Sequence, residues 1–312
     1  GVTLTGDIGG KMEAELRQFK SRKEWLEARR GGIGGSDAPA ILGVDPYRSA
    51  LEVYAEKAGL TEPKEDNDIL WWGRKLQPIV AQAYRRETGR KLKYFGNHFF
   101  TSQTRPNLPV FASLDAMVID PAGILEIKTS EVITQRELEE EIPINWQVQV
   151  QHCLGVLGLG MASITIPLPH RRLFWVDVAA DQEFIELLFE KEAAFWQRVQ
   201  DRQPPDPDAS ESARAVLQKM YPKDTGVEVV LPEAAIELDR KRIEAMAGID
   251  QMQAIKDQAE NELKAMLGEA SVGVIGNGLS YSWRHQTRKA YEVKATEFRV
   301  LRRHVQKLKE GK

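Results

Sequence analysis

Ser113-Leu114-Asp115-Ala116 and, one turn later, Leu125-Glu126-Ile127-Lys128 are the stretch on which the reading of this chain depends. Two apolar runs, 110–119 and 124–128, flank Pro121-Ala122-Gly123, which predicts adjacent strands joined by a turn, with Asp115 and Glu126 side by side. Strand side chains alternate between faces, so Glu126 and Lys128 share one. A carboxylate there can hold a divalent ion, and an ammonium can sit by the water bound to it. Hard oxygen ligands select Mg2+ or Mn2+ over zinc. Such an ion acidifies its water, polarises a phosphoryl oxygen and shields a leaving 3′ oxygen, while Lys128 orients or deprotonates the nucleophile. That is the chemistry of phosphodiester hydrolysis. The competing reading is a cross-strand ion pair on a solvated face.

Toward the N-terminus, residues 21–30 predict a short helix with Ser21 as N-cap and Glu24 at the capping-box position. Gly31, Gly32, Gly34 and Gly35 then form a loop whose backbone can approach a ligand, before a helix capped by Ser36 or Asp37. Helices are predicted over 49–59 and 70–88, the second stopped by Gly89. Residues 91–128 read as a meander of strands. Gln147, Gln149 and Gln151 alternate with Val148 and Val150 as in a strand, but the length of the segment 142–160 predicts a helix. A strand pair over 162–167 and 173–178 and a helix over 181–200 complete an α/β (α+β) core. Pro204, Pro205 and Pro207 mark the expected boundary, giving a core of residues 1–203 and a C-terminal appendage of residues 204–312. The appendage predicts a long helix from Pro232 to near Gly268, whose apolar positions read as packing, then a hairpin turning at Gly276-Asn277-Gly278 and a basic tail over 284–312.

The 312 residues are 42% hydrophobic and 29% charged, which is globular composition and excludes long disordered tracts. One cysteine, Cys153, excludes an internal disulfide and a cysteine-ligated zinc site. No run of 18 apolar residues occurs and residues 1–11 lack a signal-peptide pattern, so the expected location is cytoplasmic with no membrane contact. A net charge of -3 argues against a globally basic nucleic-acid coat but not against local basic patches. The five histidines are scattered, and His152 beside Cys153 reads as core rather than as a nucleophilic pair. The glycine loop lacks the Gly-Lys-Ser/Thr ending of a nucleotide-phosphate loop. Trp71, Trp72 and Trp146 read as core residues, with stacking on bases as the alternative.

Several elements in order carry a resemblance: residues 27–36 (Glu-Ala-Arg-Arg-Gly-Gly-Ile-Gly-Gly-Ser), Trp72-Gly73-Arg74-Lys75-Leu76-Gln77-Pro78, Thr88-Gly89, Ser113-Leu114-Asp115, Leu125-Glu126-Ile127-Lys128 and residues 146–151 (Trp-Gln-Val-Gln-Val-Gln). From Trp25 to Gln200 the chain resembles the YqaJ-like viral recombinase and lambda exonuclease group of the PD-(D/E)XK nuclease superfamily. The resemblance implies a restriction-endonuclease-like core with a central mixed sheet flanked by helices. It implies an exonuclease that degrades one strand of linear double-stranded DNA 5′ to 3′, leaving 3′ overhangs for recombination. It further implies a homotrimer ring acting on duplex ends, a phage single-strand annealing protein as partner, and a phage- or prophage-encoded origin in a bacterial host. By the same resemblance Asp115, Glu126 and the Ile127 carbonyl ligate two Mg2+ ions, with Mn2+ able to substitute. Lys128 is the catalytic lysine and Gln149 helps place the nucleophilic water; the alternative for Gln149 is a polar residue satisfied in a helix interface. Arg29 and Ser36, with Gly35 between them, match a 5′-phosphate grip, the alternative being a solvated helix face and an N-cap. Gln77 stands where the family pattern expects a glutamate, which weakens the second ion site. An endonuclease or structure-specific nuclease with the same residues, or a catalytically weakened DNA-binding protein, remains the alternative reading.

Overall fold

The computed structural model describes residues 14–61, 67–129, 134–287 and 299–303. Two compact units divide at Pro222: Gly1–Pro222 and Lys223–Lys312. The first begins with β1 (Ala14–Gln18), α1 (Arg22–Arg29), β2 (Ile33–Gly34), α2 (Ala38–Ile41), α3 (Ala50–Lys57) and α4 (Asp68–Thr88). It continues through β3 (Leu92–Lys93), β4 (His98–Ser102), β5 (Val110–Ala112), β6 (Ala116–Val118) and β7 (Gly123–Ile127). It closes with α5 (Gln135–Glu140), α6 (Ile144–Leu157), β8 (Met161–Leu168), β9 (Arg172–Ala179), α7 (Gln182–Gln200) and α8 (Glu211–Met220).

Two mixed sheets stand where one central sheet was expected. One has the order β1-β4-β5-β2 and the other β3-β6-β7-β8-β9. β2 runs parallel to β5 and β7 parallel to β8, while the remaining pairs are antiparallel. The predicted continuous strand over 110–119 is therefore two strands, and residues 113–115 carry the chain from one sheet to the other. Both flanks are fully buried, so neither can fray into solvent. The crossing itself is held by His98. Ser113 Oγ donates to the His98 carbonyl at 3.0 Å and the Leu114 N–H to His98 Nε2 at 3.4 Å, while His98 Nδ1 lies 2.8 Å from the Gly96 carbonyl. Burial pushes the His98 imidazolium below its ordinary value, which keeps Nε2 free to accept.

The glutamine-rich segment is helix, as its length predicts, and Gly158 ends α6 in the left-handed region at φ 68°. Val148, Val150, Leu154, Val156 and Leu157 are all buried, which explains why the segment lacks a polar face. The glutamines survive in this setting because each amide is bonded. Gln147 Nε2 donates to the Ile142 carbonyl, and Gln151 donates to Ala179 and accepts from the Asp181 N–H. Ser21 caps α1 by accepting from the Glu24 N–H, but the Glu24 carboxylate reaches back to Lys20 N rather than closing a box.

Three expectations are corrected. Trp71 and Trp72 are 44% and 58% exposed, not core, because they lie on the outward side of α4, whose buried residues Val80, Ala81 and Tyr84 come later; Trp146 is buried as expected. The break expected after residue 203 falls at Pro222, because α8 belongs to the first unit: Ala213 and Val216 are buried and Ser212 Oγ accepts from the Ser49 N–H. The third concerns the long helix of the second unit, α9 (Ala234–Leu267), which buries none of its residues. Its apolar positions Ile243, Met246, Ile249, Met252 and Ile255 step by three, so each falls about 60° short of a full turn and the stripe winds around the helix instead of forming one face. β10 (Val272–Gly276) and β11 (Leu279–Ser282) form the predicted hairpin, with Asn277 and Gly278 both at positive φ. Most of the basic tail lies outside the described residues. Among the described residues no helix is long and apolar enough to cross a membrane.

Candidate active site

Glu126 lies in β7, whose five residues are all buried, and is 6% exposed. Lys128 follows the strand, and its Nζ donates to Glu126 Oε1 at 2.9 Å and to Gln149 Oε1 at 2.6 Å. Gln149 Nε2 donates to the same Glu126 oxygen at 2.7 Å, so the three side chains close a triangle. Asp115 sits in the crossing just before β6, where its Oδ2 accepts the Ile127 N–H at 2.7 Å and its Oδ1 accepts Gln77 Nε2 at 2.7 Å. Ile127 is thus the hinge of the site, with its amide on Asp115 and neighbours Glu126 and Lys128 on either side. The Glu126–Lys128 pair is real but lies at the end of one strand rather than across two, and it is not solvated, since the two side chains are 9% and 17% exposed.

Two carboxylates converge here with one lysine. Burial, reinforced by the Glu126 carboxylate, pushes the Asp115 carboxyl up to about 8. A divalent cation would relieve that repulsion, and the donors present are hard oxygens: Asp115, Glu126, the Ile127 carbonyl and the Gln77 amide oxygen. The chemistry of this donor set fits Mg2+ or Mn2+. Among the described residues no three His, Cys, Asp or Glu side chains gather, and the third side chain on the Asp115 carboxylate is the neutral amide of Gln77. Gln77 must also turn its amide to offer oxygen, because it now donates an N–H to Asp115.

Arg29, Gly35 and Ser36 line the same open cleft, of about 700 Å³, as Gln77, Asp115, Glu126 and Gln149. Arg29 Nη2 donates to Ser36 Oγ at 2.9 Å, and its guanidinium lies 4.7 Å from the Trp25 ring centre and 5.2 Å from that of Phe111. Ser36 is not the cap of α2, since Asp37 occupies that place. Gly35 passes directly over α6: a Cβ there would meet Cys153 Sγ at 2.6 Å and the Gln149 carbonyl at 3.2 Å. The cysteine is packing, as expected, and burial pushes its thiol up. Sequence reasoning missed Arg22, Arg74 and Thr129, which also line the cleft. Arg74 had a signal, standing three residues before Gln77 on one helix face.

A strand-end Glu-x-Lys, an aspartate from the preceding strand crossing and a glutamine from the next helix, on mixed sheets flanked by helices, define a PD-(D/E)XK-type fold. The likeness to a solved structure agrees: LHK-Exo from Laribacter hongkongensis, described as an alkaline exonuclease and solved with dAMP, matches with a TM-score of 0.50 and 20% identity, covering 58% of this chain and 94% of that one. At that identity the likeness is one of fold. The chain matches the YqaJ-like viral recombinase domain over residues 24–160. Protein YqaJ of Bacillus subtilis strain 168 is 33% identical over 266 residues, 82% of each chain. The chain belongs to the YqaJ-like viral recombinase family. Protein D345L of African swine fever virus is 36% identical over a shorter stretch of 67 residues, 20% of this chain and 19% of that protein.

Proposed function

We propose that this protein is a divalent-metal-dependent exodeoxyribonuclease that digests one strand of linear duplex DNA from its 5′ end. The observation that carries the reading is the hydrogen-bonded closure of Glu126, Lys128 and Gln149 beside Asp115, in a cleft that also holds Arg29 and Ser36. Family membership supports a role in recombination, and the alkaline exonuclease LHK-Exo shares the fold.

Asp115, Glu126 and the Ile127 carbonyl would hold one Mg2+, and Asp115 with the turned Gln77 amide a second, weaker one; Mn2+ would substitute. When bound, the metal supplies Lewis acidity toward the phosphoryl oxygen and an acidified water. Lys128 Nζ, shared between Glu126 and Gln149, holds a proton at the nucleophile's position, and the Gln149 amide, fixed by Glu126, orients the attacking water. Arg29 and Ser36 take the 5′ phosphate through their remaining N–H and O–H donors. Digestion would leave 3′ overhangs for a phage-type single-strand annealing protein, within a bacterial cytoplasm, and a homotrimer ring around the duplex would confer processivity.

The test is digestion of linear duplex labelled at the 5′ or the 3′ end, with a covalently closed circle as control, in Mg2+ and in EDTA. Metal-dependent loss of the 5′ label with the circle intact is expected, and cut circles would replace this reading with an endonuclease. Gln77 favours one second reading, a DNA-binding protein with weakened catalysis, which predicts binding without cleavage even in Mn2+.

A further inference from the structure

One buried carboxylate ties both ends of the glycine loop to the rest of the first unit. Asp37 is 1% exposed; its Oδ2 accepts the Gly34 N–H at 3.0 Å and lies 2.8 Å from Lys57 Nζ, and its Oδ1 accepts Arg48 Nη1 at 2.8 Å. Lys57, whose side chain is fully buried, donates its other bond to the Arg29 carbonyl at 2.9 Å. The path therefore runs from the backbone of Arg29 through Lys57 to Asp37, and from Asp37 to the loop backbone at Gly34, two residues before Ser36. Arg48 is balanced from outside by Glu56 at 2.9 Å and by Glu52 at 3.8 Å.

The loop has little other freedom. Gly32 and Gly34 lie against Pro109 and Phe111 so closely that a Cβ would stand 2.3 Å and 2.6 Å from them. The Phe111 ring that Gly34 touches also carries the Arg29 guanidinium on its face, and Lys57 Nζ lies 5.7 Å from its centre. Burial alone would raise the Asp37 carboxyl, but Lys57, Arg48 and Arg29 hold it far below the usual carboxylate range. Burial pulls the Arg29 guanidinium down, and Asp37 is the largest opposing influence.

We infer that Asp37 and Lys57 are positioning residues that preform the Arg29–Ser36 clamp, and that they thereby set the preference for a 5′-phosphorylated over a 5′-hydroxyl duplex end. Neither side chain need touch the DNA. A clamp held by charge and hydrogen bonds from behind loses less entropy when the anion arrives, and a terminal phosphate, with its extra negative charge, gains most from fixed donors. The inference rests on the reading of Arg29 and Ser36 as a 5′-phosphate grip.

The experiment measures kcat/KM on linear duplexes with 5′-phosphate or 5′-hydroxyl ends for the full chain, Arg29→Ala, Lys57→Met and Asp37→Asn, with thermal melting of each. A wild type without any 5′-phosphate preference, or an Arg29→Ala variant that keeps it, overturns the underlying grip. Where the wild type has the preference and Arg29→Ala loses it, Lys57→Met is expected to lower the phosphate-to-hydroxyl ratio by at least about tenfold, mainly through KM on the phosphorylated end. A Lys57→Met variant that slows both substrates equally, as a merely structural defect would, or that leaves the ratio unchanged overturns the positioning role. Asp37→Asn keeps an oxygen for the Gly34 N–H but loses the charge, and supplies the same readout if Lys57→Met does not fold. If neither variant folds, Arg48→Met, which removes one of the cations on Asp37, decides by the same ratio.

Discussion

Replacing Gln77 by glutamate changes one atom type at the centre of the site, and its consequences can be worked from the geometry. Gln77 Nε2 now donates to Asp115 Oδ1 at 2.7 Å. At pH 9, where the Asp115 carboxyl raised to about 8 is ionised, Gln77→Glu turns that favourable contact into two carboxylates facing each other, with Glu126 as a third nearby. Two like charges about 4 Å apart repel by roughly 4 kcal/mol at an effective dielectric of about 20. The metal-free protein is therefore destabilised, and a divalent cation that bridges the carboxylates recovers the loss. If half of that energy is realised, ~2 kcal/mol, Mg2+ binds roughly 30-fold tighter. The assay is calorimetric titration with Mg2+ together with thermal melting in EDTA and in Mg2+. The expected result is a lower melting temperature than wild type in EDTA, a larger upward shift on adding Mg2+, and a lower Mg2+ requirement for any cleavage. Unchanged Mg2+ affinity together with an unchanged melting temperature in EDTA would refute the idea that Gln77 shares an ion site with Asp115.

Lys128→Met should lower single-turnover cleavage by about 10²- to 10⁴-fold while DNA binding by fluorescence anisotropy changes little, because the lysine serves the nucleophile rather than the grip; equal losses in both would contradict that role. Gly35→Ala drives a Cβ toward Cys153 Sγ and should cost about 1–3 kcal/mol in urea unfolding, with part of the loss recovered in the double variant that also carries Cys153→Ala. An additive double variant would sink the contact as the cause. His152 and Glu192 are fully buried and 2.7 Å apart. Burial alone would lower the His152 imidazolium, but Glu192 and the Phe111 carbonyl hold it above its ordinary 6.5. A raised folded value means the folded state binds the proton more tightly, so this stabilisation is complete below about pH 6.5 and is lost as pH rises through the raised value. Urea midpoints should fall with rising pH in the wild type and much less in His152→Gln; parallel pH profiles for the two proteins would argue against the pair.

The site was legible wherever chemistry and local period coincided. Glu126 and Lys128 share a face by strand alternation, and the Gln149 helix followed from segment length. Asp115 was placed correctly beside Glu126, but for an incomplete reason: the 110–119 run hides a change of sheet, and the bonds to His98 that hold the crossing come from a residue more than a dozen positions away. No local pattern encodes such a contact. β1 and α8 went unseen because their partners are distant as well: β1 exists by pairing with β4, and α8 by its seat on α3; α5 was missed although Thr134 and Glu137 form a local capping box. Trp71 and Trp72 misled because hydrophobicity reports a preference for burial, while the turn of α4 decides which residues receive it. Asp37 was visible only as a cap, since its partners Arg48 and Lys57 meet it through tertiary packing.

The central claim is that phosphodiester hydrolysis occurs at Glu126 and its neighbours. The most direct measurement is chromatographic detection of mononucleotides released from linear duplex DNA in Mg2+ by the wild type and by Glu126→Gln, which keeps the shape and both bonding partners but removes the charge. The expected result is 5′-mononucleotides from the wild type and a loss of at least about 10²-fold in the variant at equal melting temperature. A Glu126→Gln protein that releases mononucleotides at the wild-type rate would contradict it.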